Sequence, residues 1–568
     1  MLSARPLWHS PLWKSMPRSA GTFAPMHRRA ATVGLFAIGV LFLGVAWAGA
    51  NPPGASPDEP AHVVKAYATG DGQITGEHYS VDPNAPPPAT KAELKQRQWF
   101  DAVGRSYKMP RNIQPDSAVP CFAFDRNNPA SCLDDGHPTP TSDSIDTQMG
   151  TYPPFLYVPT GVVMHGSSSF DAAEARGRFV DILIAGVLIA WAAVLAWDKG
   201  RSPLAFVSLA LALTPMVVFL SATTSPNGVE IAAAICMWAA LLHLTRTERA
   251  TSPKVAWWGL AVGGAVMELS RNLDPLFLVV AVVVVLCARG RFLPVPTDSR
   301  TTWIEQAERA PRMVKTTIAI LVVAGVVCIS WSTFVTAHPA LDLSVTTHAI
   351  KPAIKALPNQ FRQVVGVFGW SETTMPQVMY ALWGLLALWI GGLALWYGAR
   401  WERIALVGLG VIIVIADIGI STVIEAPIGF GMQARYVLPL AVGLPMLAGE
   451  ILNRHRDRPG RRRGYGVTRR LEGRIRVVSF AGIAFLQAVA FVANLHRYIV
   501  GQNASWSLPW NGSWRPPGGV AIWTGFAIAG VVCIAVTGLL SRGTRLEPVP
   551  TPAAASSSAR RSRRSPVG

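Results

Sequence analysis

Charge is scarce in this chain. Lysine, arginine, aspartate and glutamate make up 15% of its 568 residues, against about 25% in ordinary soluble domains. With 50% hydrophobic residues and a mean hydropathy of +0.31, too few charges remain to coat a soluble body of this length. Acid is scarcer than base, 33 residues against 51. Cysteine is limited to six residues with no CxxC pair, which argues against a thiolate zinc site. The chain also lacks a GxxxxGK[ST] loop, an HExxH pair and a GxGxxG placed after a strand. An ATP-driven pump built from this chain alone is thereby disfavoured. The run "GLGVII" (Gly408 to Ile413) lies inside an apolar segment and reads as packing.

What the chain has instead is long apolar runs. The first, "AATVGLFAIGVLFLGVAWAG" (Ala30 to Gly49), would extend about 30 Å as a helix, the thickness of a hydrocarbon core. Backbone groups in lipid must pair within the segment, so repeated runs of this kind predict an all-α integral membrane protein. Twelve spans are expected, near 31–49, 176–197, 203–222, 228–245, 255–270, 275–288, 315–334, 377–398, 404–424, 436–452, 477–495 and 519–541. The fifth and sixth are the weakest, because "ELSRNLDP" (Glu268 to Pro275) interrupts them. A cleaved signal peptide is the alternative for the first run, given the small residues of "AWAGA" (Ala46 to Ala50); its length favours an uncleaved anchor.

The net charge of +18 invites a nucleic-acid reading, but the basic residues are segregated. With the N-terminal segment (1–30) in the cytoplasm, Arg28 and Arg29, Lys199 and Arg201, Arg246, Arg249 and Lys254, Arg289 to Lys315, and Arg400 and Arg403 all fall inside. So do the arginine-rich loop 453–476 and the tail 542–568, which should be disordered. This is the positive-inside pattern of a plasma-membrane protein with both termini cytoplasmic. Attraction to anionic membrane lipid accounts for the basic tail, and no nucleic acid is expected.

The polytopic region 31–541 then carries one outsized connection. Residues 50–175 form a large outer loop holding fifteen of the 33 acids, and a structureless loop of that length is uncommon unless functional. Short helices are expected in it, one after Pro60. Cys121 and Cys132 share this loop in an oxidising compartment and are expected to form a disulfide. A second outer loop covers 335–376, and a third outer stretch is "EAPIGFGMQARYVLPL" (Glu425 to Leu440).

The stretch "NPPGASPDEPAHVVKA" (Asn51 to Ala66) places Asp58 and Glu59 between prolines just beyond the first span. One reading is a helix start at Pro60 with an acidic cap at the positive end of the dipole. The other is a stiff turn that fixes a pair of carboxylates above the membrane, with His62 one turn on from Asp58. Such a pair could deprotonate a hydroxyl, or hold Mg or Mn against a phosphate. Arg435 in "QARYVLPL" is its complement, since a guanidinium grips phosphate oxygens in pairs. Its plainer reading is an interfacial arginine beside Tyr436. Acids near spans cluster at outer ends: Asp181, Glu230, Glu268, Asp274, Asp417 and Glu425, accompanied by Arg178, Arg271 and Arg435. That bias points to a polar cavity opening outward, with Asp417 the deepest. Tyr152, Trp370, Glu372 and Gln433 complete the substrate-binding candidates.

"SPDEPAH", "TYPPFLYVP", "TTSPNGVEIAAA", "GVFGWSETTMP" and "QARYVLPL" occur in that order, and they resemble blocks of the membrane-protein family called domain of unknown function 2142. That family's layout is similar to the GT-C class of polytopic lipid-linked-sugar glycosyltransferases. The resemblance implies a polyprenyl-phosphate sugar donor, a cell-envelope glycan or lipid acceptor, and inverting transfer at the outer face. It assigns Asp58 as base, Glu59 as its assistant or metal ligand, and Arg435 as the donor-phosphate contact. Two rivals are a transporter or flippase of envelope intermediates, faintly echoed by "WDKGRS" (Trp197 to Ser202), and a non-catalytic envelope-assembly protein.

Overall fold

The computed structural model describes residues 23–79, 86–134, 140–246, 249–289, 311–336, 343–429, 431, 433–456, 467–507 and 510–543. Most of the N-terminal segment, the middle of the basic loop 453–476 and most of the tail lie outside the described residues.

Helix α1 (Phe23–Ala50) contains the first apolar run. It packs along the last described helix, Val520–Leu540. The two backbones meet at glycines: a Cβ on Gly39 would lie 2.9 Å from Cys533 Cβ, and one on Gly530 would lie 2.8 Å from Gly39 O. Small residues at a crossing let helices in lipid approach closely, where the hydrophobic effect gives no drive. Among the described residues eight helices are long and apolar enough to cross a membrane, or nine if one bent pair counts as a crossing.

That pair is α6 (Pro203–Ala212) and α7 (Pro215–Ser221), bent by 66°. Pro215 removes a backbone donor, so carbonyls before it lose their helical partners. Side chains supply replacements: Trp383 Nε1 donates to Leu211 O at 3.2 Å and Gln487 Nε2 to Leu213 O at 2.9 Å. Thr214 Oγ1 accepts from Val217 N and so caps the second half.

Three of the twelve expected spans take shorter forms. Residues 255–270 and 275–288 fall in α9 (Pro253–Glu268) and α10 (Asp274–Arg289), each of 16 residues. Residues 436–452 fold as a four-residue helix, Leu438–Ala441, followed by a 12-residue one, Gly443–Arg454. Each single helix is shorter than the roughly 20 residues that a perpendicular crossing needs. Between them runs α8 (Pro226–Leu244), buried along its whole length. Being apolar all round, it forms the centre of the bundle, and Trp238 Nε1 ties it to Pro439 O at 3.0 Å.

The connection 51–169 is a folded layer with its own small core. It contains α2 (Glu59–Gly70), α3 (Lys91–Val103) and α4 (Tyr157–Met164), and helix α5 (Phe170–Trp197) then returns into the bundle. The layer also holds an antiparallel sheet, β1 (Glu77–His78), β2 (Arg105–Lys108) and β3 (Ser144–Thr147), with Tyr107 opposite Ile145. Cys121 and Cys132 are joined as a disulfide. In the stretch expected as the second outer loop, the described residues are mainly a helix, Leu343–Gly366, with Pro352 and Pro358 inside it.

Candidate functional site

The site begins where α1 ends. Gly54 takes φ +69°, and a Cβ there would strike Pro120 at 2.7 Å, so only glycine fits this turn without strain. Trp370 Nε1 donates to Gly54 O at 3.0 Å, and Gly54 N donates to Glu174 at 2.9 Å. Four residues on, Asp58 also has positive φ, +63°, an uncommon conformation for a residue with a Cβ.

The two neighbouring carboxylates part company here. Glu59 is fully buried and held by both arms of Arg178, Nε to Oε1 and Nη2 to Oε2, each at 2.8 Å. The backbone N–H groups of Ser56 and Thr224 donate to the same two oxygens at 3.1 and 2.8 Å. Glu59 is therefore not placed beside Asp58 as an assistant or a metal ligand: its four bonds lock the turn to α5 and to the start of α8. Asp58, at the N-cap position of α2, makes no side-chain capping bond, so the cap reading fails in detail. Its Oδ2 accepts instead from Arg435 Nη2 at 2.9 Å, with the carboxylate 26% exposed and the arginine side chain 3% exposed.

Arg435 sits in a single 3-10 turn, Ala434–Tyr436. Its Nη1 donates to Pro57 O at 3.3 Å. Its Nε is buried without a hydrogen-bond partner. Arg271, at the break between α9 and α10, lies 4.6 Å over the Tyr436 ring, and Arg435 lies 5.4 Å from the same ring. Asn227 and Glu230 hold Arg271 from behind, the Glu230 carboxylate at 2.9 Å.

The wall opposite is aromatic. His62 Nδ1 is 2.7 Å from the Tyr157 hydroxyl, and Tyr152 meets the imidazole edge-on at 5.8 Å. Helix α4 comes close enough to do this because Gly161 lies on Ala66 O, where a Cβ would clash. Burial pushes the His62 pKa well below its usual value, and the charges of Arg435 and Arg271 push it further. The imidazole is therefore neutral at neutral pH. Burial raises the Tyr152 and Tyr157 hydroxyls, which stay protonated. Glu425 closes a π-helical segment, Ile420–Glu425, a local form frequent at functional sites.

Asp58, His62, Tyr152, Arg271, Arg435 and Tyr436 are thus brought together, while other candidates are placed apart. Gln433 is half-buried just before the 3-10 turn, and its carbonyl accepts from Tyr436 N. Trp370 lies beneath the Gly54 turn and positions it. Glu372 pairs with buried Arg497 at 3.1 Å; that arginine also grips Phe122 O, Asp125 O and Asn128 O of the disulfide loop. Asp417 is buried in α14 (Arg400–Gly419), with Oδ1 unbonded and no bond to any of these residues. Among the described residues no group of three or more His, Cys, Asp or Glu side chains gathers to hold a metal ion. Arg435 bonds Asp58 instead, so these residues do not fit a resident Mg or Mn.

Sequence reasoning did not assign Tyr157 or Asn227 to the site, and it left Glu230 and Glu425 among the unsorted outer-end acids. A signal existed, because Tyr157 lies in "TYPPFLYVP" and Asn227 and Glu230 in "TTSPNGVEIAAA". All five quoted blocks meet around one turn: Thr224 bonds Glu59, Trp370 bonds Gly54, Arg435 bonds Asp58, and Tyr157 bonds His62.

Residues 41–444 match a family described as "Predicted membrane protein (DUF2142)". No curated protein matches the chain. Among solved structures, ArnT from Cupriavidus metallidurans in the apo state aligns with 13% identity and a TM-score of 0.35, covering 84% of this chain and 75% of that one. The same protein bound to undecaprenyl phosphate aligns with 12% identity and a TM-score of 0.34, covering 85% and 76%. At such TM-scores these likenesses carry no argument about this chain.

Proposed function

The chain belongs to the DUF2142 family of predicted membrane proteins, and on that premise we propose that it is a multi-pass plasma-membrane glycosyltransferase of the GT-C kind. Its donor is a polyprenyl-phosphate sugar, and its acceptor is a hydroxyl of a cell-envelope glycan or lipid at the outer face. Both termini lie in the cytoplasm. The short helices α9, α10 and Leu438–Arg454 complete a set of about twelve crossings where the bilayer is locally thinned around them.

One observation carries the reading. An accessible carboxylate, Asp58, is backed by an arginine whose Nε is buried and unspent. An orphan buried donor costs about 1–3 kcal/mol, and a phosphate oxygen would satisfy it. Arg271 adds a second positive charge across the Tyr436 ring. Asp58 Oδ1 faces the acceptor and takes its hydroxyl proton as the new bond forms from that oxygen to the anomeric carbon. The bond from the anomeric carbon to the phosphate oxygen breaks, and its electron pair leaves with the lipid phosphate. Arg435 and Arg271 stabilise that growing negative charge. Displacement in one step inverts the anomeric centre.

The test is Asp58→Asn in a strain lacking the native copy. Polyprenyl-linked sugar should accumulate, and one envelope glycan should lose a residue, while the protein still inserts. Normal glycans in that strain would refute the assignment.

A further inference from the structure

A second feature lies beside the site and is not used by the chemistry above. Helix Leu343–Gly366 contains no acidic residue. Its inward side is pinned to the site: Gln363 Oε1 accepts from Ala434 N at 2.9 Å, one residue before Arg435. Val364 O accepts from Thr214 Oγ1 at 2.8 Å. Its outward side is divided by chemistry. At about 100° per residue, Phe361 and Ile354 fall within about 40° of Ile350, while Lys351, Arg362 and Lys355 fall about 100–140° away. Ile350, Ile354 and Phe361 are 41%, 51% and 42% exposed, Phe361 with one side against Trp383 of the next long helix. Lys351, Lys355 and Arg362 are exposed beside them, and among the described residues no carboxylate pairs with them.

Position decides what covers this face. The chain leaves the long apolar helix Arg312–Phe334 nine residues before this helix starts. It enters the next one, Gln377–Tyr397, eleven residues after this helix ends. Both ends are thus tethered to membrane exits on the side that holds the Asp58 site. An apolar stripe with a basic flank, held at that level, matches a helix lying in the plane of a bilayer surface. The cations match negatively charged headgroups.

We propose that this helix lies in the interface of the leaflet next to the site, and that its basic flank binds anionic phospholipid headgroups. The proposal does not depend on sugar transfer. It gives the site a lipid-facing wall, linked to Arg435 through Gln363.

The experiment uses the full chain in bilayers of phosphatidylcholine mixed with phosphatidylglycerol. A photoreactive benzoylphenylalanine replaces Ile354 or Phe361, and Val326, 57% exposed on a long apolar helix, serves as the reference position. Adducts of lipid mass are expected at all three. At 354 and 361 phosphatidylglycerol should be enriched about three-fold or more over its share in the bilayer. Lys351→Gln with Lys355→Gln and Arg362→Gln should abolish the enrichment and leave lipid adducts in place. Should that variant fail to label at 326, Lys355→Gln alone replaces it, with a smaller drop expected. Cross-links to a second copy, or at position 354 to this chain's own peptides, would overturn the proposal; at 361 a cross-link to the neighbouring Trp383 is expected beside the lipid adduct. So would silence at both positions while 326 labels, or enrichment that ignores the substitutions.

Discussion

Asp58 and Glu59 are adjacent, acidic and flanked by the same prolines, yet their environments assign them opposite work. Glu59 and Arg178 are both buried and fully engaged. Removing one member of such a pair strands the other charge, at a cost of about 3–5 kcal/mol. Glu59→Gln should lower the melting temperature of the detergent-solubilised protein markedly. Asp58→Asn, which removes a partly exposed carboxylate and keeps a side-chain oxygen for Arg435, should lower it less, while cutting transfer about 10²-fold or more. The reverse pattern would exchange the two roles. Arg435→Lys keeps the charge but loses the planar fork and Nε. Transfer should fall with a raised KM for the donor, and an unchanged KM would remove Arg435 from the phosphate site. The importance of Asp58 and Arg435 was legible because charge at the edge of an apolar run is costly and invites explanation. The burial of Glu59 was not, since Arg178 stands 119 positions away.

At the scale of elements, helix starts and stops followed local chemistry. Pro60 stands in the first turn of α2, and Pro215 opens the second half of the bent pair. The helix Leu343–Gly366 did not read as one, because Pro352 and Pro358 normally break a helix interior; both are exposed here. Helix α2 also carries a buried lysine. Lys65 donates to Ile74 O at 2.6 Å and to the Tyr107 hydroxyl and Gly150 O at 2.9 Å, with no carboxylate among these partners. Burial, with a contribution from Arg105, lowers its pKa from 10.5 to about 7. The unfolded chain therefore holds more protons than the native one between those values, so stability rises with pH across that window. Hydrogen exchange in the outer layer should slow from pH 7 towards 10 after correction for the intrinsic rate. Lys65→Met should flatten that trend. A corrected rate independent of pH in the unmodified protein would show that the folded layer holds the lysine fully charged.

For the whole molecule, polar groups are concentrated at the two ends of an apolar bundle. The end away from the site is closed by ion pairs. Arg246 grips Glu450 at 2.7 Å, Arg454 bridges Glu450 and Glu402 at 3.3 Å each, and His455 meets Glu402 at 2.7 Å. These pairs join α8, α14 and the helix Gly443–Arg454. Glu450→Gln should destabilise the protein by about 3–5 kcal/mol, whereas Arg246→Met combined with Glu450→Leu should recover most of that loss. Equal melting temperatures for the single and double variants would show that the arginine finds other partners. The expectation of twelve crossings, the fifth and sixth the weakest, gave each apolar run a span of its own. The packed bundle instead holds two 16-residue helices and a broken pair against a central helix, where protein covers the backbone and full length is not needed.

That this is a helical membrane protein with one large polar connection could be read from residue order, because apolar length and segregated charge act locally and leave a direct trace. The short blocks that matter could be read there too. Which members of those blocks meet followed from packing alone. A partner 377 positions away, as Arg435 is from Asp58, leaves no periodicity in the chain. Burial, which separates the anchoring Glu59 from the accessible Asp58, is a property of the packed bundle and not of the residue.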